Sequence, residues 1–342
     1  MIRLEAGIFP QPTRSILQRA RRATQTIRKQ GINYYAQNYA YKLFRDHFNH
    51  KLAKVHLTEP VWREINFKAL GLKGSAKLLL NPSDTGFSRE FSLYGFREPL
   101  NTFAISKYVA KTKPVVLDIG GNLGYFPLLE NEAGAKKIIA IEPVPVTFSF
   151  LSKTLEGKDQ FEVMNVAISD GEDHLSLFST DQRNVTSFSK AILTTHGHKV
   201  SEEIRAKAIT LDEAASRYPV SMIRMDIEGY EYHVLGKRLP DSIETICMEF
   251  HIIPPGTPTK KQALEFLKRL GEQNFKVSVA INEMIYGYYA VIQHLGLESA
   301  YKVVTMLNGL SQYCPRVQVN PSFEELSGMI PEKGQVHLIM QR

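Results

Sequence analysis

Acidic residues stand at the ends of four segments that read as buried strands, and together they could form one binding crevice. They are Asp118, Glu142, Asp226 and Glu249. In an open sheet of parallel strands, ligands bind outside the carboxyl ends of the strands. We therefore expect the four carboxylates along one rim, where they would attract a cationic group of a ligand.

A glycine-rich turn, Asp118-Ile-Gly-Gly-Asn-Leu-Gly124, follows the first of these strands. We expect Gly120, Gly121, Asn122 and Gly124 to bring backbone N–H groups and a helix N-terminus close to a ligand. The dinucleotide fingerprint requires a glycine two positions before Gly121, but Ile119 stands there. The carboxylate of Asp118 would repel a pyrophosphate and attract an ammonium group. The turn therefore favours S-adenosylmethionine over NAD.

Two further acids are candidates for the nucleoside part of that cofactor. Glu142 lies 24 residues after Asp118, at the end of the second strand. An acid at this place can accept hydrogen bonds from ribose hydroxyls. Asp170 follows the third strand, and we expect it to contact the adenine or else to cap a turn.

The elements that position these residues alternate along the chain. After Pro114, short apolar runs are followed by stretches with apolar residues at helical spacing. Such alternation predicts an α/β fold with a doubly wound, mostly parallel, seven-stranded Rossmann-like sheet and right-handed crossovers. The predicted strands begin near Val115, Lys137, Phe161, Ser221, Thr245, Phe275 and Val336.

The charge is distributed unevenly, which suggests two regions. Residues 1–54 hold eleven Lys or Arg and two Asp or Glu, a net charge of +9, whereas the whole chain carries +7. The remainder is therefore at −2. We expect a basic helical N-terminal extension at 1–84 and a catalytic domain at 85–342, with an apolar cap insertion at 284–330. A basic arm of this kind could contact an anionic membrane surface.

Composition narrows the functional classes. No segment approaches the roughly 20 apolar residues that a membrane span needs, and residues 1–15 lack the apolar core of a secretory signal. The two cysteines, Cys247 and Cys314, do not have metal-type spacing. These features predict a cytoplasmic protein, with peripheral attachment through the arm left open.

Several motifs taken together resemble the FkbM-family methyltransferases of the class I superfamily. The resemblance covers about residues 86–280, while Arg224 stands where the family more often has Lys. The motifs are Gly95 to Pro99, Val116 to Tyr125, Glu142-Pro143, Asn165 to Asp170, Thr210 to Asp212, Ile223 to Gly229 and Glu249-Phe-His251. The resemblance implies methyl transfer from S-adenosylmethionine to a hydroxyl oxygen, often of a sugar or a polyketide.

An alcohol is a poor nucleophile until its proton leaves, so this reaction needs a base. His251, Glu228 and Asp226 are the candidate catalytic residues, and His251 is preferred because the reference pKa of histidine is about 6.5. Alternatively, Asp226, Glu228 and Glu249 could hold a divalent metal ion, since hard cations prefer oxygen ligands.

Three other functions stay open at this point. An RNA methyltransferase would use the basic arm, but the body of the chain is slightly acidic. An NAD(P)-dependent oxidoreductase is disfavoured by the missing glycine and by Asp118. A non-catalytic binding protein could retain the same fold. The preferred acceptor is a hydroxyl-bearing glycan or related metabolite.

Overall fold

The computed structural model describes residues 50–342 apart from 71, 181–185, 196–198 and most of 284–314, together with scattered residues between 24 and 46. Its strands are β1 Val61–Asn66, β2 Ser75–Leu80, β3 Val115–Ile119, β4 Lys137–Ile141, β5 Phe161–Met164, β6 Ala167–Ser169, β7 His174–Thr180, β8 Thr186–Ser187, β9 Val200–Thr210, β10 Met222–Met225, β11 Thr245–Ile252, β12 Lys276–Asn282, β13 Arg316–Val319 and β14 Gly334–Gln341. Its helices are α1 Phe87–Tyr94, α2 Pro99–Thr112, α3 Tyr125–Ala133, α4 Pro145–Leu155, α5 Lys190–Thr195, α6 Leu211–Ser216, α7 Glu231–Val234, α8 Lys260–Glu272 and α9 Phe323–Met329, and Phe67–Leu70 form a 3₁₀ turn.

The main sheet has the order β13-β12-β14-β11-β10-β3-β4-β5 within the described residues. Strands β11, β10, β3, β4 and β5 pair in parallel. Strand β14 runs antiparallel to both β11 and β12, so β12 has the direction of the parallel set. This confirms the expected α/β class with a mostly parallel sheet.

Both faces of the main sheet are covered by helices, because side chains alternate along each strand. Leu117 and Ile223 point into one apolar layer, which contains residues of α6, α7 and α8. Val116, Met222 and Cys247 point into the other, which contains residues of α2, α3 and α4. The second layer gives way to polar groups towards the carboxyl ends of the strands, where Asp118, Arg224 and Glu249 continue the same face.

The sheet has eight strands in the described part of the chain, one more than the sequence suggested. The additional strand, β13, pairs antiparallel with β12 at the sheet edge, and α9 follows it. Residues 316–329 were expected to belong to an apolar cap. This expectation is wrong, because Val317 and Leu326 are buried against the main fold rather than exposed on a lid.

The expectation of a helical extension over 1–84 is wrong at its carboxyl end. Strands β1 and β2 form an antiparallel pair there. Leu78 and Leu80 are fully buried, and the backbone N–H of Leu79 donates to Thr154 Oγ1 on α4 at 3.3 Å. This hairpin belongs to the apolar layer of α2 to α4, so residue 84 does not separate two cores.

A second sheet, β6-β9-β7-β8, lies beside the main sheet. The third predicted strand ends early, since β5 stops at Met164 and β6 pairs in parallel with β9 instead. Ile168, Leu175 and Leu177 of this second sheet are buried and face the carboxyl end of the main sheet. The second sheet therefore forms a wall over the expected binding rim.

Two predictions lie mostly outside the described residues. They are the helical character of residues 1–49 of the basic extension and the part of the apolar cap insertion that lies before Pro315. Among the helices that the structure does describe, none combines the length and the apolar character required to cross a bilayer.

Candidate functional site

Two cavities meet at the carboxyl ends of β3 and β10. The first cavity has a volume of about 970 Å³, including its opening to solvent, and the second has about 590 Å³. Both are lined by the same four residues of the rim: Gly120, Asn122, Asp226 and Glu228. A ligand that crosses this junction could place one end in each cavity.

The glycine turn packs so closely against neighbouring segments that two of its positions have little or no room for a side chain. Gly120 has a φ of +86°, and a Cβ placed there would lie 2.0 Å from the carbonyl oxygen of Asp226. A Cβ on Gly124, where φ is +102°, would lie 3.0 Å from Thr154 of α4. Of the predicted turn residues, Gly120, Gly121 and Asn122 line a cavity, whereas Gly124 serves the packing of the turn against α4.

Glu142 lies where the sequence placed it, on the wall of the first cavity. Its Oε2 accepts the backbone N–H of Asn122 at 3.1 Å, and its Oε1 accepts that of Val144 at 3.0 Å. Burial raises the pKa of Glu142 to about 7, although these two hydrogen bonds oppose the rise. The carboxylate is thereby fixed beside the turn, and its ribose-binding role stays a prediction.

Asp118 does not lie on the surface of either cavity, contrary to its predicted place at the mouth of the turn. It is 0 % exposed, and its Oδ1 lies 3.3 Å from Nη1 of Arg224. The register of β3 against β10 pairs these two residues directly. Burial raises the pKa of Asp118 to about 6 despite the neighbouring guanidinium. In this structure Asp118 neutralises Arg224 rather than facing a ligand.

Arg224 connects this buried pair to the turn. Its Nη1 donates to the carbonyl oxygen of Gly120 at 2.9 Å, and its guanidinium lies 4.1 Å from the centroid of the Phe126 ring. Its Nη2 also reaches Asp226 Oδ2 at 3.4 Å. The planar group thus contacts two carboxylates, one carbonyl and one ring, a combination that a lysine ammonium could not make in the same way.

Asp226 lines both cavities, as Glu228 does. Burial acts to raise its pKa, but Arg224 and His251 outweigh burial and lower it. Its Oδ1 is buried and has no hydrogen-bond partner among the described residues. Since a buried oxygen without a partner costs free energy, an ionised Asp226 with a free Oδ1 is suited to a cationic ligand group.

Glu228 occupies the tip of the turn after β10. Its φ is +52°, that of the following Gly229 is +104°, and Ser187 Oγ donates to the Glu228 carbonyl oxygen at 2.9 Å. The Glu228 side chain is 35 % exposed and lines both cavities. Burial raises its pKa to about 7, with His251 opposing the rise. A carboxyl group in this state can exchange a proton at neutral pH.

His251 was the preferred base, and its environment does not suit that role. It is 1 % exposed, with Nδ1 at 2.9 Å from Glu231 Oε1 and Nε2 at 3.5 Å from Glu228 Oε2. Burial acts to lower its pKa, but the carboxylates, Glu231 foremost, raise it well above its usual value. A buried, protonated imidazole between two carboxylates stabilises their charge and has no free lone pair.

The structure gathers a possible metal set that differs from the predicted one. Ligand atoms of Asp226, Glu249 and His251 lie within 4.8 Å of one another, with His251 in the place expected for Glu228. Both ring nitrogens of His251 already face carboxylates. Burial raises the pKa of Glu249 well above its usual value, so this carboxyl group favours a proton. A metal at Asp226, Glu228 and Glu249 stays a prediction.

The family model of the methyltransferase FkbM domain matches residues 118–277. Residues 118–277 are an FkbM methyltransferase domain. The match begins at Asp118 and includes the glycine turn, Glu142, the Asp226-to-Gly229 turn and His251. No curated protein matches the chain.

Solved structures resemble the chain only distantly. A methyltransferase of Agrobacterium tumefaciens described as S-adenosylmethionine-dependent is 10 % identical, with 84 % of this chain and 72 % of that one covered and a TM-score of 0.40. A Streptococcus pneumoniae protein described as a candidate tRNA (m1A22) methyltransferase, in complex with S-adenosyl-L-methionine, is 12 % identical, covering 69 % and 71 %, with a TM-score of 0.34. A precorrin-6y C5,15-methyltransferase of Geobacter metallireducens is 11 % identical, covering 70 % and 86 %, with a TM-score of 0.33.

One predicted cofactor residue of the FkbM domain lies away from the cavities. Asp170 has a side chain 40 % exposed, its Oδ2 lies 3.9 Å from Nδ1 of His233, and it lines neither cavity. The wall near that point is formed by Ala167 and Ile168 instead. The contact of Asp170 with adenine stays a prediction.

Several residues of the site were missed by the sequence reasoning. Glu231 binds His251, and Arg97, Glu98 and Gln335 line the second cavity. Arg97 and Glu98 belong to the Gly95-to-Pro99 motif, which is part of the family resemblance. The motif indicated that these residues matter, but it did not indicate what they do. Gln335 lies in β14 near the end of the chain, and no sequence pattern marks it.

Proposed function

We propose that the FkbM domain transfers a methyl group from S-adenosylmethionine to a hydroxyl oxygen of a glycan or related metabolite. The observation that carries this proposal is Glu228, a carboxyl group with a pKa of about 7 at the junction of the two cavities. A proton acceptor with such a pKa suits the deprotonation of an alcohol at neutral pH.

The residues of the first cavity fit the cofactor. S-adenosylmethionine, when bound, supplies a methyl group already activated on a sulfonium. Apolar side chains of Ile119, Ile168 and Phe188 line this cavity beside Glu142 and can hold an adenosine. Asp226, with its free Oδ1, can hold the ammonium of the methionine part. The chain's own task is then to orient the acceptor oxygen, which can lower the barrier by several kcal/mol, up to about 7–11.

The charge of the side chains that line the second cavity indicates which kind of acceptor fits there. This cavity is lined by Asp226, Glu228 and Glu249, of which Glu249 favours a proton. Its two arginines are already paired, Arg97 with Glu98 and Arg224 with Asp118 and Asp226. Phosphate-rich acceptors are normally met by a surplus of positive charge. An acceptor without phosphate near the reacting oxygen fits this lining better than a nucleic acid does.

A labelled-methyl assay tests the proposed reaction. The full chain is incubated with methyl-labelled S-adenosylmethionine in three separate reactions. The first contains extracted glycans, the second polar metabolites and the third total RNA. Label in a base-stable ether of a glycan or metabolite supports the proposal. Label in RNA alone, with binding that weakens steeply with salt, would establish the nucleic-acid alternative instead.

Asp226→Asn should weaken cofactor binding about 10- to 100-fold, because hydrogen bonds to charged groups contribute roughly 1.5–3 kcal/mol. Calorimetric titration with S-adenosylhomocysteine measures the affinity. Asp241→Asn is the matched control, since Asp241 is 82 % exposed and pairs only at the surface. An unchanged affinity in Asp226→Asn would remove Asp226 as the cation partner.

His251→Gln should shift the pH profile rather than abolish binding. The charge of His251 lowers the pKa of Glu228, so its removal should raise that pKa by about 1–3 units. The rising limb of kcat against pH should then move upwards by the same amount, with cofactor affinity retained. A profile that keeps its midpoint while kcat falls would show a purely structural role.

A further inference from the structure

A second cluster of buried polar groups lies beyond the cavity junction and has no part in the proposed reaction. It consists of Glu98, Glu283 and His337, whose side chains are 7 %, 3 % and 5 % exposed. Nε2 of His337 lies 3.7 Å from Glu283 Oε2 and 3.9 Å from Glu98 Oε2. The three ligand atoms lie within 4.8 Å of one another.

Three separate segments bring this cluster together. His337 in β14 pairs with Ile281 of β12 and with Glu249 of β11. Glu283 follows β12 two residues after Ile281, and Glu98 precedes α2 with a left-handed φ of +40°. The arrangement therefore depends on the order of the main sheet and on the entry of the chain into α2.

The hydrogen bonds of the cluster leave an oxygen free at its centre. Glu283 Oε1 accepts the backbone N–H of Leu100 at 2.5 Å, and Glu98 Oε2 accepts Nδ2 of Asn101 at 3.0 Å. Within the part of the chain that the structure describes, Glu283 Oε2 and His337 Nδ1 are buried and have no hydrogen-bond partner. The 3.7 Å separation of Glu283 Oε2 from His337 Nε2 exceeds the range of a hydrogen bond. Such an unsatisfied buried oxygen needs a further partner.

We propose that Glu98 Oε2, Glu283 Oε2 and His337 Nε2 form a site for a divalent transition-metal cation of the Mn²⁺ or Zn²⁺ type. Ligands at about 2.0–2.2 Å from such an ion lie about 3–4 Å apart, which agrees with the 3.7 Å and 3.9 Å from His337 Nε2 to the two carboxylate oxygens. One imidazole beside two carboxylates suits these ions better than Mg²⁺ or Ca²⁺, which prefer oxygen alone.

The cation also explains how this charge can be buried. Glu98 Oε1 pairs with Arg97 Nε at 3.4 Å, but among the described residues no Lys or Arg is seen to pair with Glu283. A buried carboxylate without a cationic partner is costly, and a bound ion compensates it. Glu98 also lines the second cavity, so the ion would lie at the wall of that cavity. The set Asp226, Glu249 and His251 is the weaker candidate, because the ring nitrogens of His251 already face Glu231 and Glu228. The proposal does not depend on methyl transfer.

Mn²⁺ binding to the full chain tests the site. After removal of metals with a chelator, titration followed by the EPR signal of free Mn²⁺ should show one bound ion per chain. Glu283→Gln and His337→Gln should each weaken binding roughly 100-fold or more, because each removes one of three ligands, while Asp226→Asn should bind as the wild type does. Mn²⁺ should raise the Tm of the wild type but not that of Glu283→Gln.

Pulsed EPR of the wild-type Mn²⁺ complex gives a second readout, because a coupling to an imidazole nitrogen in the wild type requires no variant to fold. If this coupling persists in His251→Gln and is lost in His337→Gln, the nitrogen belongs to His337, which supports the site. The proposal is overturned if neither Mn²⁺ nor Zn²⁺ binds the wild type at millimolar concentration, or if no nitrogen coupling is seen. It also fails if Asp226→Asn loses the ion while Glu283→Gln retains it.

Discussion

Glu228→Gln is expected to lower kcat by about 10²–10⁴-fold while cofactor affinity changes little, since a positioned base contributes a factor of this size. Glutamine keeps the shape of the side chain and its contact with His251, but its amide cannot accept the proton of the acceptor hydroxyl. Both kcat and kcat/KM should fall by the same factor, as they do when the lost interaction is made only in the transition state.

Steady-state kinetics with the acceptor found by the labelling assay measures this loss. Glu265→Gln, an exposed position on α8, is the matched control and should retain wild-type turnover. For the wild type, kcat should rise about tenfold per pH unit below pH 7 and level off above it, because the base acts when deprotonated and its pKa is about 7. A Glu228→Gln enzyme with more than a tenth of wild-type kcat would exclude Glu228 as the base.

Asp118→Ala should lower the free energy of unfolding by about 3–5 kcal/mol, because removing one partner of a buried ion pair leaves the other charge uncompensated. Arg224 is buried and would retain one carboxylate, Asp226 at 3.4 Å, together with the Gly120 carbonyl and the Phe126 ring. The glycine turn would lose its anchor, so cofactor binding should weaken as a consequence of stability rather than of direct contact.

Urea denaturation of Asp118→Ala measures this change. Asp159→Ala, at an exposed position after α4, should stay within about 0.5 kcal/mol of the wild type. The double variant Asp118→Ala/Arg224→Met should recover part of the loss, because an apolar replacement removes the isolated charge. A loss below 1 kcal/mol in Asp118→Ala, with cofactor binding abolished, would return Asp118 to its predicted role as a ligand.

The central part of the fold was predictable because its signals are local. Apolar runs such as Val115 to Leu117 and Ile138 to Ile141 alternate with helical spacing, and that periodicity is sufficient to indicate parallel strands with helical crossovers. The positions of Glu142 and Asp226 at the cavities follow from the rule that ligands bind at the carboxyl ends of such strands.

The roles of Asp118 and His251 were not predictable, because they depend on pairing across the sheet. Strand register places Arg224 opposite Asp118, and nothing in either segment alone shows that the carboxylate is already neutralised. His251 meets Glu231 through the turn after β10, 20 residues away in sequence. The sign argument for a cationic ligand still applies, but it applies to Asp226, which lines both cavities, whereas Asp118 lines neither.

The β1–β2 hairpin and the edge strand β13 were missed for a related reason. Both are short and flank segments with strong helical or apolar character, so their periodicity is weak. Their pairing is decided by long-range burial, as for Leu80 against α4 and Val317 beside β12. The Glu98, Glu283 and His337 cluster is likewise assembled from segments separated by up to 239 residues.

A crystal structure of the chain with S-adenosylhomocysteine would locate the cofactor. We expect adenosine in the first cavity with its ribose hydroxyls on Glu142, and the amino group of the ligand on Oδ1 of Asp226. We also expect Asp118 to stay paired with Arg224 beneath the turn. A ligand amino group bound to a rotated Asp118, or a ligand that leaves the junction of Gly120 and Glu228 untouched, would contradict this placement.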